Sequence, residues 1–136
     1  MQTVVLTLNI LTERFAICQL DSLSIIPDWV TLAPFFSISR TVDGMSIVCP
    51  ENYVPQEAKC ERGWNAFKFE GSSNFNLNGI EATVINPLAK AGVKIFPIST
   101  YGTDYALVKE TQFELAIAAL LKTGYHIRIS KLNPTL

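Results

Sequence analysis

The chain repeats itself. Phe36 to Val48 reads FSISRTVDGMSIV, and sixty positions on, Phe96 to Val108 reads FPISTYGTDYALV, with Phe, Ile, Ser and Val recurring without a gap. The segments leading into the two copies match as well, since Phe15-Ala-Ile-Cys-Gln-Leu-Asp21 lies over Trp64-Asn-Ala-Phe-Lys-Phe-Glu70 with bulky and acidic positions aligned. Internal similarity of this kind constrains the fold before any motif does, because each copy must be one supersecondary unit that buries its apolar face against its neighbour.

A chain of 136 residues has room for one domain, or for two small units sharing a core. With 49% apolar and 17% charged residues, it is built to bury surface. A net charge of −1 with scattered Lys and Arg supplies no basic stripe and argues against a nucleic-acid partner. No apolar run approaches the roughly 20 residues of a membrane span, and no leader pattern is present, so the expected location is cytoplasmic, away from the membrane. Cys18, Cys49 and Cys60 lack paired CxxC spacing, and two of them read as small apolar strand residues in a reducing compartment. Cys60, beside Lys59 and Arg62 in what reads as a linker, is the candidate for a reactive thiol.

The second copy is the clearer one. Trp64 to Glu70 alternates apolar and polar groups as a half-buried strand does, and Gly71-Ser72-Ser73 ends it. From Leu77 the period changes: Leu77, Ile80, Val84, Leu88 and Ala91 form one helical stripe, with Gly92 as its C-cap and Pro87 imposing a bend or break. Val93 to Thr100 and Asp104 to Lys109 then pair as a hairpin around Tyr101-Gly102-Thr103. The spacing of Thr111 and Glu114 predicts a capping box, ahead of a helix with Phe113, Ala116, Ile117, Leu120 and Leu121 as its buried stripe. Gly124 closes that helix and Tyr125 to Ser130 reads as a last strand, giving the split order βαββαβ of a ferredoxin-like α+β unit.

The first copy follows the same plan with its helices cut short. Fourteen residues separate Asp21 from Phe36, against 25 between Glu70 and Phe96. The difference amounts to roughly three helical turns. Pro27-Asp-Trp-Val leaves room for about one turn, and Pro50 and Pro55 truncate the second helix. Such a half leaves sheet uncovered, so its strands are expected to join or pack on those of the second half. Thr3 to Leu11 supplies one more strand, turning at Thr12-Glu13-Arg14 into Phe15.

Four stretches carry a resemblance: SRTVDGMSIVCPE from Ser39, ERGWNAFKFEG from Glu61, NLNGIEATVINPLAKAGVKIF from Asn76, and ISTYGTDYALVKE from Ile98. Together, from about Phe15 to Leu121, they resemble the small prokaryotic tandem ACT-domain proteins, related to the ACT modules of CASTOR-type arginine sensors. The resemblance implies that residues 1–60 are a degenerate, helix-poor ACT-like half and residues 61–136 an intact ACT domain, in one compact unit. It further implies a regulatory module binding a small ligand, commonly an amino acid, where two ACT units meet. The positions that match the sensors' ligand-holding stretch are Asp104 and Tyr101, with Ser99 and Thr100 in the same ST-x-x-x-D run. The Asn76-Leu77-Asn78-Gly79 turn, with Gly71 before it, matches the main-chain groups that receive the ligand's carboxylate.

Elementary chemistry agrees in outline. A helix N-terminus suits a carboxylate and an aspartate at a strand mouth suits an ammonium, so together they recognise a zwitterion. Each residue also has a plainer reading: Asp104 stabilising its turn, Asn76 and Asn78 capping a helix, Tyr101 filling a dimer seam. Arg40 either meets a carboxylate or pairs with Asp43 or Glu51 on the surface.

Catalysis finds no support. His126 is the only histidine, and no phosphate loop, dinucleotide fingerprint or HExxH is present, so no catalytic residue, metal ligand or cofactor is assigned. The alternative to a ligand sensor is a structural or protein-interaction ACT module without a retained site. Val93 and Ile95 on one side of a strand, and Phe96 and Ile98 on the other, call for a sheet covered twice, by helices and by either the degenerate half or a second subunit; the high apolar content favours a homodimer, and a regulated protein is the further partner a sensor implies.

Overall fold

The computed structural model describes residues 7–70 and 81–132. Its strands are β1 Thr7–Leu20, β2 Ser37–Thr41, β3 Gly44–Pro50, β4 Cys60–Glu70, β5 Ile95–Ser99, β6 Asp104–Lys109 and β7 His126–Ser130. The helices are α1 Asp28–Thr31, α2 Asn86–Lys90 and α3 Phe113–Lys122, and a π-helical turn, Glu81–Ile85, leads into α2. From β4 onward the order is the βαββαβ read from the sequence, an ACT-like mixed fold in which strand dominates. The helix-poor half is present as well: its crossover holds only the four-residue α1, and a 3-10 turn, Glu51–Tyr53, follows Pro50.

All seven strands form one sheet, in the order β2-β3-β1-β4-β6-β5, with β7 also on β1. β1 is the hub. One of its edges pairs antiparallel with β4 from Thr7 to Cys18, while the other takes β7 in parallel over Thr7–Leu11 and then β3 antiparallel over Phe15–Leu20. β1 therefore lies between β4 and β7.

The expected turn at Thr12-Glu13-Arg14 does not form. β1 runs through this polar triplet, and its pairing jumps from Ile10 opposite Phe67 to Arg14 opposite Asn65, so two extra residues are held in a bulge. The continuous partner β4 keeps the backbone extended where residue type alone suggests reversal. The Glu13 carboxylate accepts the Leu132 N–H at 3.0 and 3.2 Å, which ties the chain beyond β7 to the bulge.

Side-chain alternation sorts the interior into three clusters. Leu8, Phe67, Val84, Leu88, Ala116 and Leu120 fill the space under α2 and α3. On the same face of the sheet, Ala16, Cys18, Ile47, Cys49 and Val30 form a smaller cluster under α1. The opposite face carries Phe15, Val48, Trp64, Ile98 and Leu107, covered in part by Phe35, whose ring packs edge-on to Phe15 and Tyr105 at centroid distances of 5.4 and 5.0 Å. Val93 and Ile95 do face the helices, and Phe96 and Ile98 the other side.

The repeated hairpins lie on opposite flanks of the β1–β4 pair, one residue out of step with the gapless sequence match. Val48 packs with Leu107, on the face opposite Val108. The connections explain the slip: Val42-Asp43 joins β2 to β3, whereas four residues, 100–103, join β5 to β6.

Local signals fared unevenly. The π-helical turn breaks the helix before Pro87, which then occupies the first turn of α2, where its missing N–H costs no internal bond. The capping box at Thr111 and Glu114 is absent, because a 3-10 turn over Glu110–Gln112 precedes α3 and no side chain caps it. Gln112 instead links α3 to the loop before β5, donating to the Gly92 carbonyl and accepting the Lys94 N–H, each at 3.0 Å. Leu121, expected inside, is 52% exposed, while Ala116 and Leu120 are buried. Leu77 and Ile80 of the predicted stripe lie outside the described residues.

Both helices end in Schellman turns. Gly92 (φ 79°) and Gly124 (φ 95°) take the left-handed position, with Val93 N–H bonding to Leu88 O at 2.9 Å and Tyr125 N–H to Leu120 O at 3.3 Å. A Cβ at either glycine meets nothing within 4 Å, so the requirement is conformational and not steric crowding. Gly124→Ala is therefore expected to lower stability by about 1 kcal/mol, and Gly124→Asn by less, in urea denaturation with an unchanged m-value.

Candidate functional site

The structure brings Asp104 and Ser99 together. Asp104 opens β6 opposite Ser99 of β5 and Phe69 of β4, and the Ser99 hydroxyl donates to Asp104 Oδ1 at 2.8 Å. Thr100 is spent on its own turn: its N–H donates to the Thr103 carbonyl at 2.8 Å, and its hydroxyl accepts the Thr103 N–H at 3.1 Å. Tyr101 at the tip is fully exposed and does not fold over Asp104. Gly71, Asn76, Leu77, Asn78 and Gly79 lie outside the described residues.

On the helix side of the same sheet end stands Tyr125, edge-on to Phe69 at 5.6 Å and sharing a 2.9 Å hydrogen bond with the Thr83 hydroxyl. Burial pushes the Tyr125 phenol up, the Thr83 hydrogen bond opposes this, and the Asp104 charge adds to the rise. Asp104 thus presents a carboxylate, steadied by one hydroxyl, at the mouth between β4 and β5. Such a group accepts hydrogen bonds from a cation or an ammonium.

Arg40 meets neither Asp43 nor Glu51; its guanidinium donates to the Ser24 carbonyl and pins the first crossover to β2. Cys60 is not in a linker but is the first residue of β4, directly opposite Cys18. Cys18 and Cys49 are buried as expected, all three thiols are free, and burial pushes Cys18 up to about 12 and Cys49 up to about 11, with neighbouring thiols adding to each. His126 is exposed at the start of β7, and among the described residues no group of three His, Cys, Asp or Glu side chains could hold a metal ion.

Two cavities escaped the sequence reading. One, of about 540 Å³, lies in the first half, lined by Ile17, Gln19, Ser39, Ser46, Lys59 and Glu61 among others. Its sequence signal is a row of polar residues at matching strand positions, since Gln19 pairs with Ser46 and Ser46 with Ser39. The other, of about 320 Å³, sits at the β1 bulge and includes Arg14, Asn65 and Glu110.

Comparison with known proteins places this geometry in a family. The family model for the ACT domain matches residues 59–122, and a model for an N-terminal domain matches residues 13–57. A crystal structure of a protein from Agobacterium tumefaciens is 35% identical over 93% of this chain and 94% of its own, with a TM-score of 0.84. The chain belongs to the ACT-domain family. A Vibrio cholerae protein described as of unknown function, a possible transport protein, shares the fold at 17% identity, covering 87% of this chain and 89% of its own with a TM-score of 0.68. The regulatory subunit of aspartate kinase from Thermus thermophilus does so at 9% identity, covering 90% and 98%, with a TM-score of 0.58. No protein of curated function matches the sequence. No helix among the described residues is long and apolar enough to cross a membrane.

The thiols give this ACT-domain protein a defined alkaline limit. Cys18 and Cys49 are raised in the fold above their ordinary value of 9.0, so the stability linked to their neutral form is fully present below pH 9 and is lost as pH rises through 11 to 12. Under reducing conditions the melting temperature is expected to fall between pH 9 and 11. The Cys18→Ala variant should show a shallower fall, read by circular dichroism.

Proposed function

We propose that this ACT-domain protein is a regulatory module that binds an amino acid at the Asp104 end of the sheet and passes its occupancy to a protein partner. The observation that carries this reading is the Ser99–Asp104 hydrogen bond at the mouth of β5 and β6, which orients a carboxylate while leaving its other oxygen without a hydrogen-bond donor among the described residues. Asp104 takes the ligand's ammonium, and Gly71 with the Asn76–Gly79 run supplies main-chain groups for its carboxylate. Tyr101, fully exposed at the tip, meets a second copy in a homodimer. A cytoplasmic address and a division into a first unit of residues 1–60 and a second of residues 61–136 complete the reading. The regulatory role is supported by the family and by the shared fold of the aspartate kinase regulatory subunit.

A thermal-shift screen of the purified protein against the twenty amino acids tests it. A ligand at about 100 times its dissociation constant adds roughly 2.7 kcal/mol, a rise of several degrees in the melting temperature, and Asp104→Ala should abolish that rise. No shift at millimolar concentrations with a cooperatively folded protein would favour the alternative, an interaction module. That alternative has its own support in Leu23, Ile25, Leu32 and Val42, each more than two-thirds exposed around the first crossover and the β2–β3 turn. Sedimentation at tens of micromolar should show a dimer, and a monomer there would remove the second copy from the reading.

A further inference from the structure

The cavity of about 320 Å³ at the β1 bulge is built from a different set of residues than the Asp104 end. Its apolar wall is Ile10, Leu11, Phe113 and Ile129; its polar members are Thr12, Arg14, Asn65 and Glu110. Asn65 is the informative one. It is 2% exposed, it lines the cavity, and its side-chain amide has no hydrogen-bond partner among the described residues. The fully buried polar atom left without a partner is the Trp64 indole N–H, whereas the Asn65 amide is open to the cavity and takes its partners from whatever fills it. Arg14 is its direct cross-strand neighbour, and the Arg14 guanidinium lies 3.4 Å from Glu110 Oε2. Glu110 is packed close against Gly63, where a Cβ would stand 3.3 Å from its Oε1. One cation, one anion and one unmatched amide thus converge beside an apolar wall. The volume suits a ligand of amino-acid size and falls at the small end of ligand pockets.

We propose that this bulge cavity is a second small-molecule site, taking a carboxylic acid that carries a hydrogen-bond donor on its α-carbon and an apolar tail. The carboxylate is received by Arg14 and the Asn65 NH₂ group, the α-substituent donates to Asn65 Oδ1 and Glu110, and the tail lies on Ile10, Phe113 and Ile129. The bulge is what makes the room, since two residues of β1 beyond those paired with β4 leave the regular strand line there. An α-amino acid and an α-hydroxy acid both satisfy this chemistry, and Glu110 favours the ammonium of the former.

Titration of the ¹⁵N-labelled full chain with L-leucine, and separately with L-2-hydroxyisocaproate, tests the site without any substitution. The Asn65 side-chain amide and Arg14 Nε resonances are expected to shift in a saturable way, with leucine the tighter of the two. Asn65→Leu and Arg14→Gln, each with its melting curve recorded, should weaken binding at least about tenfold, whereas Lys90→Ala, exposed at the end of α2, should leave it unchanged. Absence of a shift at Asn65 with both acids at millimolar concentration overturns the proposal. So does binding that Asp104→Ala abolishes and Asn65→Leu spares; that result places the ligand at the hairpin end and leaves the amino-acid sensor standing.

Discussion

The structure depends on the need of β1 to have both edges paired on either side of its bulge. A strand of fourteen residues presents a long row of backbone donors and acceptors, and leaving half of one edge open would cost hydrogen bonds or invite pairing with another chain. β4 serves one edge. The other is divided between β7 and β3, one from each half of the chain, so neither half completes the sheet without the other. With the strands of the first half merged into a common sheet, α1 covers its helix-side cluster and Phe35 part of the opposite face.

Most of this was legible in the sequence. Alternation over Trp64 to Glu70 located the second part of β4, the count of residues in the first crossover foretold a single turn of helix, and Gly92 and Gly124 marked the two helix ends where their positive φ is required. These are signals in which a residue's local preference and its tertiary setting agree.

The misreadings arise where tertiary pairing overrides local preference. Thr12-Glu13-Arg14 has the composition of a turn, yet β4 holds it in the sheet as a bulge. Thr111 and Glu114 have capping-box spacing, yet Gln112 has bonds to make with the loop before β5 that shift the helix start. The pairing of Asp104 with Ser99 could be anticipated from a short hairpin, whereas Asn65 could not, because nothing in ERGWNAFKFEG distinguishes a strand asparagine facing solvent from one facing a cavity. That distinction needs the bulge, which the sequence presents as a turn.

The parallel pairing of β1 with β7 has a consequence for how the protein comes into being. The Glu13 carboxylate and the Leu132 N–H meet across 119 residues, so contacts that complete the longest strand join the opening of the described chain to its close. During synthesis the β1–β3 and β2–β3 ladders can form early, but the Thr7–Leu11 stretch of one edge of β1 stays bare until β7 has been made. Over that interval a nascent chain carries an open template that β7, or a neighbouring copy's β7, fits equally well, so strand exchange between copies on the same message is the characteristic hazard of this topology.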